Sequence, residues 1–522
     1  MAYRHGERRQ GVLFPASIED YVSADSPVRV YDEIIDTMNL EDMGFEVDPH
    51  KVGNPQYHPM SMLKLLVYGY SYGVRSSRKL ERECHNNILF IWLMGDLKPD
   101  HKTIAEFRRK NKKALAKVLR EVAKVCMALK FIEGNTLFVD GSKIRGNASI
   151  SNSWSKQKCE RKLKKIDKRI AEILEECENA DRREADLGSF VKVNKELADQ
   201  KALRSKVKAI LGDIAQEKRP SVNTTDYDCA KIHSRQGDHA GYNGQIVVDE
   251  KHGLIVSCDV VNENTDDHQF ADQINKANEV LGKKCDAACA DSGYSDVDEM
   301  EKIDNQNIEV VVPSKRQASG KEPEVFDARN FTYDRENDCY ICPKGNVLPF
   351  RKVEVKRRRK IYLGVGSTCR ACEHFGTCTT NKVHGRKVTR LLKEDSRRKF
   401  ERQYASPDSQ EIYKKRKEKV ELPFGHIKHN LGVRGFLLRG LDGVKAEFSI
   451  MASCFNITRM IRLLGVERLV ETLRAVAISG NIAGLSPEIA PKKLTYAKTT
   501  LRIWQFKKIN KKAAQTQIAK AA

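Results

Sequence analysis

Two short strand-like runs each close on an aspartate, and their setting constrains the fold more than any other feature. Thr136-Leu-Phe-Val-Asp-Gly-Ser-Lys143 reaches Asp140, and Cys285-Asp-Ala-Ala-Cys-Ala-Asp-Ser-Gly-Tyr294 reaches Asp291. Between them, residues 241–249 and 254–261 show period-two patterning around Glu250-Lys-His-Gly253, a hairpin turn. A helical segment at about 267–281, a strand ending at Asp291, a helix near 296–305 and a strand at 308–313 follow. Strands first, then helix and strand in alternation, describe a mixed α/β sheet covered by helices. Neighbouring strands of such a sheet can bring two aspartates to one edge. A later helix crossing that edge can add a third acid.

Glu421 lies in such a helix, the very basic stretch Tyr413-Lys-Lys-Arg-Lys-Glu-Lys-Val-Glu-Leu-Pro-Phe-Gly-His-Ile-Lys428. Alone, Asp140 before Gly141 and Asp291 before Ser292-Gly293 read as turn residues, and Glu421 as one more acid on a helix surface. Together they suit two Mg²⁺ ions, hard cations that prefer oxygen ligands. Two such ions about 4 Å apart clamp the attacking and leaving oxygens of an in-line phosphodiester displacement. Composition agrees: 93 Lys and Arg against 71 Asp and Glu give a net charge of +22. That excess points to a polyanionic partner and argues against an acidic protein or a small neutral ligand. The 40% hydrophobic content is enough to build real cores. Met1-Ala-Tyr-Arg-His-Gly-Glu-Arg-Arg9 lacks an apolar signal core, and no window approaches the ~20 apolar residues of a membrane span. A cytoplasmic, nucleoid-associated protein with no membrane partner is expected.

The rest of the chain divides around that core, which is expected in residues 131–153 and 220–313. Residues 1–130 read as several short helices, with starts near Ser26-Pro27, His58, Ser77 and Pro99, the last running to about Leu129. They suit either a DNA reader, with Arg75, Arg78, Lys79, Arg82, Arg108, Arg109 and Lys110 on phosphates, or a packing domain with solvated charges. Residues 154–219 predict a charged helical hairpin sealed by Leu163, Ile166, Ile170 and Ile173. Residues 314–395 form a basic, cysteine-bearing insertion, 396–465 return to helix, and 466–522 are a basic tail without acids after Pro491.

Five of the fourteen cysteines cluster: Cys339, Cys342, Cys369, Cys372 and Cys378. Two CxxC pairs about 25 residues apart are a structural zinc pattern, and spacing alone favours Cys339, Cys342, Cys369 and Cys372. His374 is a further candidate. A complete sulfur shell leaves no open catalytic position. Between the pairs, Arg351-Lys-Val-Glu-Val-Lys-Arg-Arg-Arg-Lys360 predicts a basic hairpin arm, with Arg357, Arg358 and Arg359 suited to DNA phosphates.

The sequence resembles bacterial insertion-sequence DDE transposases, which have an RNase H-like catalytic core. The resemblance is carried by Phe138-Val-Asp-Gly-Ser-Lys-Ile144, Thr225-Asp-Tyr-Asp-Cys-Ala230, Gly241-Tyr-Asn-Gly-Gln-Ile-Val-Val-Asp249, Ala290-Asp-Ser-Gly-Tyr294 and Val420-Glu-Leu-Pro-Phe-Gly-His-Ile-Lys428. It runs from about residue 10 to 465 and takes in Phe107-Arg108 and Asn456. It implies that Asp140, Asp291 and Glu421 form the acidic triad. It also implies double-stranded DNA (transposon ends and target) as partner and a homodimer in the working complex. Related proteins carry a Tyr, Arg, Glu, Lys set around the third acid. Tyr413, Arg416, Glu421 and Lys428 stand here, with Arg416 one residue farther from Glu421, and Arg416 and Lys428 are the expected DNA contacts of that helix. Glu418 is the alternative third ligand, and Asp228 another acid expected near the site. The family's Cys-Pro-x-Gly turn matches Cys342-Pro-Lys-Gly345 and implies Cys342, Cys369, Cys372 and Cys378 as the zinc set, with Cys339 spare. Two other functions fit the same residues: an RNase H-like nuclease without strand transfer, and a non-catalytic zinc-ribbon DNA-binding protein derived from such an element.

Overall fold

The computed structural model describes residues 17–47, 56–181, 187–216, 219–234, 237–320 and 324–478. The tail after Pro491 lies outside them. The first part is helical: α1 (Val28–Asp36), α2 (Leu40–Met43), α3 (Pro59–Ser71), α4 (Ser77–Asn86), α5 (Ile88–Met94), α6 (His101–Lys110), α7 (Lys112–Leu115) and α8 (Val118–Ala128). Starts follow local capping chemistry. The His58 ring accepts from Met60 N at 3.2 Å with Pro59 at the first helical position, and Asp100 Oδ1 accepts from Thr103 N at 2.6 Å to open α6. The single helix expected from Pro99 to Leu129 is three helices instead. Asn111 turns its side chain back onto the Phe107 carbonyl at 2.9 Å, competing with the helical ladder where α6 ends.

The sheet begins with β1 (Thr136–Arg145), which continues past Asp140 rather than closing there. β2 (Ser153–Ser155) and β3 (Ser221–Asn223) bracket the expected helical hairpin, α9 (Lys156–Asp181) and α10 (Leu187–Gln216). The hairpin has its own apolar seam of Cys159, Ile166, Val207, Ile210 and Ile214. Then come β4 (Ala230–Ser234), β5 (Gly237–Asp249), β6 (Ile255–Val261), α11 (Phe270–Leu281), β7 (Ala287–Cys289), α12 (Val297–Asp304) and β8 (Glu309–Val311). The six-stranded sheet follows the order β4-β5-β1-β7-β8, with β6 also paired to β5. β1 is antiparallel to β5, with Asp140 opposite Ile246, and parallel to β7, with Phe138 opposite Cys289. Its central strands are covered on both faces, so Leu137, Phe138, Val139, Ala288, Cys289 and Val310 are buried without alternation.

α13 (Lys315–Ala318) leads to a separate five-stranded antiparallel sheet: β9 (Thr332–Asp334), β10 (Cys339–Ile341), β11 (Val347–Glu354), β12 (Arg359–Leu363) and β13 (Lys387–Leu391), with α14 (Gly366–Ala371) between the last two. Phe331, Tyr340 and Tyr362 fill its small core with Leu348 and Val388. The chain returns through α15 (Glu394–Tyr404), α16 (Pro407–Gly425), a π-helical turn (His426–Asn430), α17 (Leu441–Leu464) and α18 (Val466–Ile478). α18 packs Leu469, Val470 and Leu473 inward and pairs Arg474 with Glu33 of α1 at 2.6 Å, so residues 466–478 belong to the folded body and not to the tail.

α17 joins the N-terminal helices and the sheet into one apolar core. Its middle, from Ala446 to Ile457, is buried on all sides, and each buried polar side chain on it finds a partner. Asn456 accepts from Ile255 N at 2.9 Å and donates to Ile255 O at 2.8 Å, closing the start of β6 as another strand would. Ser449 Oγ accepts from Leu119 N at 3.0 Å. Glu447, fully buried, receives Arg75 at 2.9 Å and the amides of Leu437 and Leu438 at 2.8 and 3.0 Å. Arg108, one of the expected phosphate contacts, is buried and donates to Tyr70 and to the Arg75 carbonyl. Arg75 and Arg108 therefore serve packing.

Candidate active site at the sheet edge

β1 and β7 are parallel neighbours, so the Asp140 strand and the turn after β7 open at the same sheet edge. Asp291 caps that turn (Ser292–Tyr294), its Oδ1 accepting from Gly293 N at 2.7 Å. α16 crosses β1 here. Arg416 Nη1 stands 3.5 Å from Asp140 Oδ1, and Lys428 Nζ, beyond the end of α16, donates to Ser142 Oγ at 2.5 Å. Asp140 is 20% exposed. Burial pushes its carboxyl up to about 6; Arg416 opposes that shift and Asp291 adds to it. Burial works against the Arg416 charge too, yet Asp140 and Asp291 more than offset it, so its shift is upward. The Lys428 ammonium is lowered by burial, with Asp140 opposing.

Glu421 is not brought to these aspartates. Its side chain is 65% exposed and 4.0 Å from Lys417, on the rim of a cleft shared with Leu422, His426 and Arg459. Its backbone nevertheless lies between Arg416 and Lys428, the two residues by which this segment touches β1. α16 runs through Pro423 to Gly425, and Lys428 lies in the π turn that follows. Glu418 is more exposed still, at 83%, and 4.0 Å from Lys419. Asp228, expected near the site, instead accepts from Leu441 N at 2.7 Å at the start of α17.

Other expected DNA contacts also meet acids of the chain itself. Arg416 turns inward onto Asp140. Arg357 stands 3.7 Å from Glu354 and Arg359 2.6 Å from the same residue, while Arg358 pairs with Asp298 on α12 and pins the β11–β12 hairpin to the core. Residues to which the sequence reading gave no role complete the edge: Lys143, Asn243, Gln245 and Tyr294, which lie in its quoted motifs, and Asp266, which does not. The only local sign of Asp266 is its place between a strand and a helix.

In the insertion, Cys342, Cys369, Cys372 and Cys378 line one cavity with His374. Burial raises the Cys378 thiol; Arg386 opposes this, and Cys369, Cys342 and Cys372 add to it. Cys339 stands apart: it is 6% exposed, and after burial the groups raising its thiol are Asp334 and Asp338. Among the described residues, no three His, Cys, Asp or Glu side chains stand close enough to grip an ion as placed. No helix among them is long and apolar enough to cross a membrane.

Two family models match the chain: a transposase domain (DUF772) over residues 16–110 and a transposase DDE domain over residues 341–461. The first spans helices α1 to α6, and the second includes Glu421. No curated protein matches. Among solved structures, a cryo-EM structure of a piggyBac transposase synaptic complex with hairpin DNA aligns at 9% identity and a TM-score of 0.29, covering 90% of this chain and 85% of that one. The chain thus carries a transposase domain at its start and a transposase DDE domain, spanning Glu421, downstream.

Proposed function

We propose that this transposase cuts phosphodiester bonds at insertion-sequence ends and joins the freed 3′-OH ends to target DNA, with the chemistry centred on Asp140 and Asp291. The observation that carries this reading is the parallel pairing of β1 and β7, the strands that lead to these two acids, with Arg416 of α16 standing 3.5 Å from Asp140. Half-buried carboxylates at one sheet edge suit a divalent metal, and oxygen donors suit Mg²⁺. Asp140 and Asp291 would hold two such ions, with Glu421 as third acid because α16 spans β1 on either side of it. The bound ions supply an activated nucleophile and stabilise charge on the leaving oxygen. The chain's own part is to fix the acids and balance them with Arg416 and Lys428. The strand order β6-β5-β1-β7-β8, three antiparallel strands followed by two parallel ones, supports an RNase H-like core.

We further read the four cavity cysteines, Cys342, Cys369, Cys372 and Cys378, as a structural zinc site. The donor chemistry fits, and the fifth cysteine, Cys339, lies elsewhere. The +22 charge supports double-stranded DNA as partner, and one catalytic centre per transposon end supports a homodimer when both ends are held.

The deciding experiment incubates purified protein with insertion-sequence end DNA and Mg²⁺, alongside Asp140→Asn, Asp291→Asn and Glu421→Gln. Each variant should bind the ends and fail to cut. Cutting by Asp140→Asn would remove the central acid from the reading, and cutting by Glu421→Gln would remove α16's acid. Precut ends that are never joined to target would leave a nuclease.

A further inference from the structure

One carboxylate that the catalytic reading does not use stands at the same sheet edge. Asp266 lies in the loop between β6 and α11. Its Oδ1 accepts from Asn243 Nδ2 at 2.6 Å and from Gln245 Nε2 at 2.7 Å, both on β5, and Lys143 Nζ on β1 lies 3.3 Å from both of its oxygens. Asn243 and Gln245 are wholly buried. Gln245 Oε1 in turn accepts from the Tyr294 hydroxyl, in the turn that Asp291 opens. Gln245 pairs with Gly141, the residue after Asp140, in the β1–β5 register. A Cβ on Gly141 would fall 2.5 Å from Gln245 Nε2, 2.7 Å from Asp266 Oδ1 and 2.9 Å from the Tyr294 hydroxyl. Three polar groups therefore pack directly against the backbone beside Asp140.

We propose that Asp266 is a positioning residue for the metal-holding acids. It draws Lys143, Asn243 and Gln245 together behind Gly141 and, through Gln245 and Tyr294, ties the Asp291 turn to the strand that carries Asp140. This rests on the reading of Asp140 and Asp291 as the metal-holding acids. Two amide donors and an ammonium converge on its carboxyl group. With Oδ1 occupied by the amides and both oxygens facing Lys143, Asp266 acts on the ligands and not on the ion. Loss of a partner that holds a ligand typically costs 10–100-fold in metal affinity or activity.

The test uses the full chain without DNA, measuring Mn²⁺ binding by electron paramagnetic resonance beside the thermal midpoint, then cleavage of end DNA. Asp266→Asn should weaken Mn²⁺ binding about 10–100-fold and lower cleavage similarly, with a midpoint close to that of the parent. Tyr294→Phe, which removes only the hydroxyl link, should shift both in the same direction by a smaller factor, and it decides the matter if Asp266→Asn does not fold. Asp259→Asn is the control for a merely structural acid. Asp259 is buried, pairs with Lys276 and Lys445 and lies in β6, so its loss should lower the midpoint and leave Mn²⁺ affinity unchanged. Parental Mn²⁺ affinity in Asp266→Asn or, if that does not fold, in Tyr294→Phe, while Asp140→Asn has lost binding, overturns the proposal and leaves the catalytic reading standing. Parental binding and cleavage in Asp140→Asn overturn both. Recovery of Asp266→Cys by Mn²⁺ but not Mg²⁺ would make Asp266 a direct ligand and overturn the positioning role.

Discussion

Asp140→Asn should stabilise the metal-free protein while abolishing cleavage. Burial raises the Asp140 carboxyl from 3.8 to about 6, with Arg416 opposing and Asp291 adding. The folded state therefore holds a proton there that the unfolded chain releases at lower pH. The associated stability is fully present below about pH 4 and is lost as pH rises through about 6. A difference of about two units corresponds to ~3 kcal/mol at pH 7. The neutral amide removes that penalty but leaves Arg416 without its nearest counter-charge, which offsets part of the gain, so the net is about 1–3 kcal/mol. Unfolding entropy grows with chain length, so the midpoint should rise by roughly 1–3 °C at pH 7.5. The assay is thermal melting at pH 4, 5, 6 and 7.5 in magnesium-free buffer, without chelators that would strip the cysteine site. The gain should be absent at pH 4 and grow to its full size above pH 6. A variant no more stable than the parent at pH 7.5, or one whose gain does not depend on pH, would refute the argument that burial of an ionised Asp140 is a cost met by bound metal.

Gly141→Ala should cost about 1–3 kcal/mol and most of the cleavage activity, read by melting and by the end-cutting assay, because its Cβ would meet three polar groups within 2.9 Å. Cys372→Ser should abolish zinc binding and unfold residues 324–393, whereas Cys339→Ser should keep one zinc per chain, as metal analysis without chelators would show. Glu447→Gln should destabilise the protein by about 3–5 kcal/mol in urea unfolding, since it leaves Arg75 buried without its charge partner. DNA affinity should fall steeply with salt, with a slope of about −0.9 per neutralised phosphate in log K against log salt. Deleting residues 492–522 should flatten that slope, measured by fluorescence anisotropy on end and random DNA.

Features that repeat locally were legible in the sequence. Period-two runs gave the β5–β6 hairpin, helical spacing gave the α9–α10 insertion, and the paired CxxC motifs marked the cysteine-bearing sheet. Asp140 and Asp291 were recognisable because each follows an apolar run. Their convergence was an inference about neighbouring strands, and in the fold β1 and β7 are parallel neighbours. Local statistics made Asp140 before Gly141 a turn residue; in the fold β1 runs on to Arg145, because nine registered positions against β5 provide hydrogen bonds that propensity does not predict. Spacing favoured Cys339 and the resemblance favoured Cys378; the fold sets Cys339 on β10, outside the cavity that the other four line. The orientation of Glu421 was closed to the sequence for another reason. A helix fixes the spacing of its residues, but which face meets the sheet is set by packing against β1, and Arg416 and Lys428 take those contacts. The groups around Asp266 were the least legible. Lys143 is 123 residues from Asp266 and Gln245 is 49 from Tyr294. Polar contacts at such separations leave no periodic trace, because strand register and loop path alone bring them together.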